Sequence, residues 1–211
     1  MSIKYVLITD GSSDQTLKYF IDYTLTKFFP SATIEGQWAD FRNLTRPPKT
    51  LKDKIVKAID FYEPQWIFIH RDAENVALQD RAKEIATVVG NLPAAIANNI
   101  YISIIPVRMT EAWLLIDEMA IRQAAGNPEG KTRIALPKLK ELEKINDTKQ
   151  LLFEALKTAS QLSGRRLKNL DLNRSRRLIA QYIDDFSPLH DLSSYQHFNE
   201  QVKHVAKQLD P

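Results

Sequence analysis

Four short strand-like runs alternate with helical patterns over the first 107 residues, and this alternation restricts the fold more than any other feature of the chain. Ile3 to Thr9, Ala32 to Trp38, Trp66 to Ile69 and Ile100 to Val107 read as strands. The first and third contain unbroken apolar stretches, as buried strands do. Ser12 or Ser13 is expected to cap a helix running to about Phe28, with Gln15 in capping-box position to Ser12. Thr50 caps a second helix whose apolar face is Leu51, Ile55, Ala58, Ile59 and Tyr62, and Pro64 ends it. A third covers about Val76 to Val89. Strands separated by helices of this length predict βαβ units and a mostly parallel, Rossmann-like sheet of about four strands.

From Met109 onward the pattern is helical. A short apolar helix runs through Thr110-Glu111-Ala112-Trp113-Leu114-Leu115-Ile116, and Asp117 caps another that Gly126 ends. Helices near 137–144, 147–162, 173–184 and 194–209 follow. The expected division is an α/β core over residues 1–117 and a helical extension over 118–211 packed against it as one structural unit. The chain of 211 residues suits this size.

Charge sets limits on partners. The chain has 29 Lys+Arg against 26 Asp+Glu, a net charge of +3. Neither half is a basic tail, so a nucleic-acid surface would have to be a local patch. There is no cysteine, which excludes disulfides, thiolate zinc sites and cysteine nucleophiles. No run approaches the roughly 20 apolar residues of a membrane span. Met1-Ser2-Ile3-Lys4 leads straight into a strand without a signal-peptide core, so the expected location is the cytoplasm, with no membrane partner.

The chemistry is carried by acids at strand ends. Asp10 follows the first strand in Asp10-Gly11-Ser12-Ser13-Asp14, and Asp72 and Glu74 follow the third in His70-Arg71-Asp72-Ala73-Glu74. Ligands of open parallel sheets bind beyond the carboxyl ends of the strands, at the switch point. If strands one and three are neighbours, three carboxylates would lie within reach of Mg²⁺, a hard cation that takes oxygen ligands and keeps several waters. Acidic turns and N-caps of this composition also occur without any metal. Asp14 reads as a first-turn carboxylate facing the helix dipole or as a further ligand. His70 reads as a buried strand-end histidine or as a base beside Asp72.

The pairing of Leu7-Ile8-Thr9-Asp10-Gly11-Ser12-Ser13-Asp14 with Asp72-Ala73-Glu74 resembles the TOPRIM fold, whose signature is an acidic-Gly turn after strand one and an Asp-x-Asp pair after strand three. Val107-Arg108-Met109-Thr110-Glu111-Ala112-Trp113-Leu114-Leu115-Ile116-Asp117 resembles the Glu-x-Trp-x-x-x-Asp segment of a TOPRIM-like bacterial family of unknown function. Its members are often encoded beside AAA-type or SMC-like ATPases, and related pairs belong to antiphage defence. The resemblance implies a Mg²⁺-dependent nuclease, with Mn²⁺ as the alternate ion and an ATPase as partner. Asp10, Asp72 and Glu74 would hold the metal, and Glu111 would join them as a further catalytic acid. Here Asp10 stands where such enzymes usually carry Glu, and the pair is Asp-x-Glu. These two departures favour the alternative, a non-catalytic TOPRIM-like adaptor that docks an ATPase or binds nucleic acid.

Residues 164–177 hold Arg165, Arg166, Lys168, Arg174, Arg176 and Arg177 against one acid, Asp171. Such a cluster would contact DNA or RNA phosphates without reading sequence. Charge runs are also commonly solvated faces. Arg42, Arg46 and Lys49 form a weaker basic set that could reach the sheet's carboxyl edge. A phosphate loop, a nucleophile elbow and zinc-helix histidine spacing are all lacking. A receiver domain would need a lysine ending its last core strand, where this chain has Pro106-Val107-Arg108. A small-molecule phosphotransfer enzyme has only the general switch-point argument behind it.

Overall fold

Parallel strands cannot be joined by tight hairpins, so each pair needs a crossover, and the helices that make these crossovers bury the sheet. The computed structural model, in which residues 1–209 are described, has this arrangement: α/β with a four-stranded, all-parallel sheet flanked by helices, compatible with a Rossmann-like fold. The strands are β1 (Ser2–Ile8), β2 (Thr33–Trp38), β3 (Trp66–His70) and β4 (Ile100–Ile104). Their order is β2-β1-β3-β4. The chain direction across the sheet reverses between β1 and β3, which pair in register from Tyr5↔Trp66 to Ile8↔Ile69.

The chain divides into two compact units, residues 1–105 with 197–211, and residues 106–196. The first carries the sheet together with α1 (Leu17–Phe28), α2 (Leu51–Tyr62) and α3 (Leu78–Gly90). On one face Val6, Ile8, Ile67 and Ile69 pack with Ile55 and Ala58 of α2 and Ile85 of α3. On the other, Tyr5 and Phe68 meet edge to face at 5.1 Å, and Phe68 meets Phe198 in the same way at 6.0 Å. Because side chains alternate along a strand, both faces of β1 and β3 must be apolar, and both are buried.

Phe198 belongs to a long C-terminal helix that starts in the second unit and from His197 counts with the sheet. Its Gln201 covers the open edge of β4. The Gln201 carboxamide accepts from the Ser103 backbone N–H and donates to its C=O, both at 3.0 Å, taking the place of a missing strand.

The second unit is helical: α4 (Glu111–Leu114), α5 (Glu118–Ala124), α6 (Leu139–Leu142), α7 (Thr148–Ser160), α8 (Gly164–Lys168), α9 (Leu172–Tyr182) and the first turn of α10 (Ser193–Leu209). α5 packs on α7 and α9, and α4 on the same two helices. Trp113, in the short apolar helix, is fully buried, donates from Nε1 to Ser194 Oγ at 2.9 Å and meets the Tyr195 ring at 5.4 Å. The Glu143 carboxylate accepts from the backbone N–H groups of Ser193 and Ser194, at 3.0 and 2.9 Å, capping α10.

Local signals held where a cap was independent of the site. Thr50 forms a full capping box with Asp53, Asp117 caps α5 and left-handed Gly126 follows it. The first cap did not hold. Residues Ser12–Thr16 form a 3-10 turn with no side-chain cap bond, and α1 starts only at Leu17. The serine and threonine hydroxyls bond locally instead, Ser13 Oγ to Asp14 Oδ1 at 3.5 Å and Thr9 Oγ1 to Gly11 O at 2.7 Å.

Gly36 in β2 is a close-approach glycine. A Cβ there would lie 2.2 Å from Cζ of Tyr5, whose hydroxyl donates to Asp22 Oδ1 at 2.6 Å and cannot easily give way. Gly36→Ala is therefore expected to destabilise the protein by about 1–3 kcal/mol, read as a lower urea midpoint. An unchanged midpoint would mean that β2 can move away from β1.

Candidate functional site

Adjacency of β1 and β3 brings two of the expected acids to one rim. Asp10 lies two residues beyond β1 and Asp72 two beyond β3, at the switch point. The rim is tied down from several sides. Trp38 Nε1 donates to Thr9 Oγ1 at 2.9 Å, linking the end of β2 to the turn that presents Asp10. The Arg71 backbone N–H donates to Ile104 O at 3.1 Å, continuing the ladder past β3.

His70 ends β3 fully inside the protein, in agreement with the strand-end reading. Its Nε2 lies 3.2 Å from Asp72 Oδ1. Burial opposes a charge on the imidazole, but the hydrogen bond to Asp72 and the charges of Asp72, Asp14 and Asp10 outweigh it and raise the His70 pKa. Three aspartates thus act electrostatically on one buried ring. Asp14 stands in the first turn of the 3-10 segment, as one of its two readings had it, and is buried there, 7% exposed.

Two cations that sequence reasoning missed complete the rim. Lys54, from the first turns of α2, donates to Asp10 Oδ1 at 2.8 Å and to Thr9 O at 3.2 Å. Arg71 donates from Nε to Asp10 Oδ2 at 3.2 Å and pairs with Glu84 of α3, which also accepts from Arg81. Partial burial raises the Asp10 pKa, but Lys54, Arg71 and His70 prevail and the carboxylate sits below its usual range. Arg71 was legible as the basic residue inside the His-Arg-Asp run. Lys54 lies 44 residues from Asp10 and has no local signature.

The other expected site residues are distributed differently. Glu74 is exposed on the loop after β3 with a left-handed backbone, φ 52°, which is uncommon for a residue other than glycine. Glu111 lies in the helical unit and is buried, not solvated, with Oε1 3.0 Å from Nε of Arg176. Arg176 is accordingly withdrawn from the basic cluster. Arg165, Arg166, Lys168 and Arg174 are exposed and Arg177 is half-buried.

A Mg²⁺ ion held here would need ligands beyond these side chains. Among the described residues no three acidic or imidazole side chains form a ready-made metal cage. Mg²⁺, however, is commonly held by one or two carboxylates, with substrate phosphate and water completing the shell. Asp10, with its side chain 56% exposed, and Asp72, 28% exposed, are oxygen donors of that type. Lys54 and Arg71 are the groups that a phosphate could draw off Asp10, since such half-exposed ion pairs are individually weak. No protein-family model, curated protein or solved structure matches the chain. Among the described residues no helix is long and apolar enough to cross a membrane.

Two outcomes follow from these pairings. A histidine whose native pKa is raised stabilises the fold fully below its unfolded value, about 6.5, and loses that contribution as pH rises through the native value. The urea midpoint should fall across that interval, and Asp72→Asn should flatten the fall; an identical profile in the variant would remove Asp72 as the cause. Arg176→Met strands the buried Glu111 carboxylate and should cost about 3–5 kcal/mol, whereas the double variant Glu111→Leu/Arg176→Met should recover most of it. Denaturant titration of both variants distinguishes this from simple loss of packing, in which the double would be no better.

Proposed function

We propose that the chain is a TOPRIM-like nuclease that cleaves nucleic-acid phosphodiesters with the help of Mg²⁺ or Mn²⁺, as the effector of an ATPase-linked antiphage defence system. The observation that supports this is the placement of Asp10 and Asp72 at the ends of adjacent parallel strands, with enough negative charge concentrated there to raise a buried histidine. Divalent cations favour such a focus of charge.

In this reading Asp10 and Asp72 hold the ion, with substrate phosphate and water completing its shell, and exposed Glu74 is assigned no place on it. When bound, the ion supplies Lewis acidity and lowers the pKa of a coordinated water. The chain's own groups do the remainder. Lys54 and Arg71 turn from Asp10 to the phosphate oxygens, and His70 holds Asp72 in place through Nε2. Glu111 is assigned no catalytic part, because its carboxylate is buried against Arg176. Arg165, Arg166, Lys168 and Arg174, exposed in a run whose one acid is Asp171, would contact nucleic-acid phosphates.

The neutralised state of Asp10 favours a second reading, the non-catalytic adaptor that docks an ATPase or binds nucleic acid with the same fold. Nicking of supercoiled plasmid, and cleavage of RNA, with Mg²⁺ or Mn²⁺ separates the two. Cleavage that Asp72→Ala lowers by at least the roughly 10–100-fold cost of losing a metal's outer-shell partner supports the nuclease. Equal cleavage by the variant removes the site. Metal-dependent cleavage by neither protein, alone or with the ATPase, leaves the adaptor.

A further inference from the structure

Beside the acidic rim the sheet unit has a cavity of about 380 Å³, within the size range of small-molecule sites. One side is the turn after β1, with Thr9, Asp10 and Gly11. The other is Trp38 at the end of β2 and the loop that follows, with Phe41, Arg42, Pro47 and Pro48, and Lys54 of α2 also lines the cavity. The walls thus combine aromatic and proline surfaces with two acids, Asp10 and Asp40, and two cations, Arg42 and Lys54.

The polar groups of this cavity are already fixed in position. The indole N–H of Trp38 is fixed on Thr9 Oγ1, which orients the ring. The Arg42 guanidinium lies over that ring, 5.1 Å from its centroid, and is forked onto Asp40 through Nε at 2.8 Å and Nη2 at 2.6 Å. Both acids of the cavity, Asp10 and Asp40, are thus neutralised by neighbouring cations, and neither would repel an incoming anion strongly. A planar cation stacked on an indole, with an ammonium beside it, suits a flat aromatic ring that carries a phosphate.

We propose that this cavity is a nucleotide subsite in which a base stacks on the Arg42–Trp38 pair against Phe41 and the proline wall, and its phosphate takes Lys54. For the strand source of that nucleotide, the inference rests on the nuclease reading and places the stacked base next to the phosphate presented to Asp10. The same chemistry would accept a free nucleoside monophosphate. The Arg42, Arg46 and Lys49 set noted in the sequence then divides by role: Arg42 stacks, while Arg46 and Lys49 lie outside the cavity lining.

The test uses the full chain in EDTA, so that binding is read without catalysis. Trp66 and Trp113 are 1% and 0% exposed, which leaves Trp38 as the ligand-sensitive fluorophore. Adenosine 5′-monophosphate and a four-residue oligodeoxythymidylate are titrated separately, with inorganic phosphate as control. Saturable quenching by either nucleotide, weakened about tenfold in Arg42→Ala and in Lys54→Met, supports the subsite. Tighter binding of the oligonucleotide assigns it to a strand, and tighter binding of the monophosphate to a free nucleotide. Arg42 has a 64% exposed side chain, so its variant should fold normally, as circular dichroism would check. Absence of quenching, or quenching unchanged in both variants, overturns the subsite. Quenching without metal-dependent nicking, alone or with the ATPase, keeps the subsite and removes the nuclease, and nicking without quenching does the reverse.

Discussion

Both faces of a four-stranded parallel sheet must be covered, and most of this chain's construction follows from that requirement. β1 and β3 lie in the middle of the order, so their side chains are apolar on both sides, from Tyr5 to Ile8 and from Trp66 to Ile69. α2 and α3 cover one face. On the other, Phe198 from the end of the chain packs on Phe68. The last helix also supplies Gln201, whose carboxamide satisfies the Ser103 backbone that an edge strand would otherwise leave open. Residues of the last helix thus cover part of one sheet face and one sheet edge.

Covering the faces leaves the carboxyl edge as the place where polar groups gather. Where β1 and β3 part, the chain has put Asp10, Asp14 and Asp72 around His70, and then Lys54 and Arg71 on Asp10. The rim is therefore a balanced network rather than a bare acidic cluster. Its negative part raises the pKa of a buried imidazole, and its positive part sits on the more exposed carboxylate. Such a rim could exchange partners when an anion and a cation arrive together, because each exposed ion pair is weak on its own. The buried pair of Glu111 and Arg176 is different, since neither group can lose the other without stranding a charge away from water.

The aromatic cavity extends that network. Trp38 is half-buried because it ends β2 at the sheet's edge, and its N–H reaches back to Thr9 in the turn that carries Asp10. One hydrogen bond therefore couples the stacking surface to the acidic turn. Lys54 touches both. A ligand that engages the cavity would thereby act on the geometry of the rim.

Much of this was legible from the residues alone. Strand and helix periodicity depends on neighbours two to four positions away, so the βα alternation, the Thr50 and Asp117 caps, the parallel sheet and the burial of Trp113 could be read directly. The sequence also placed Asp10 and Asp72 at strand ends, because that needs only the end of an apolar run. It could not show that Ser12 and Ser13 would begin a 3-10 turn, since their hydroxyl partners are chosen by the surrounding loop. Tertiary structure alone decided that β1 and β3 are neighbours, that Lys54 arrives from 44 residues away to neutralise Asp10, and that Arg176 leaves the basic run to meet Glu111. The physical reason is range: hydrophobic period and capping act along a few residues of chain, whereas the pairing of charges depends on which distant surfaces the packed core brings together.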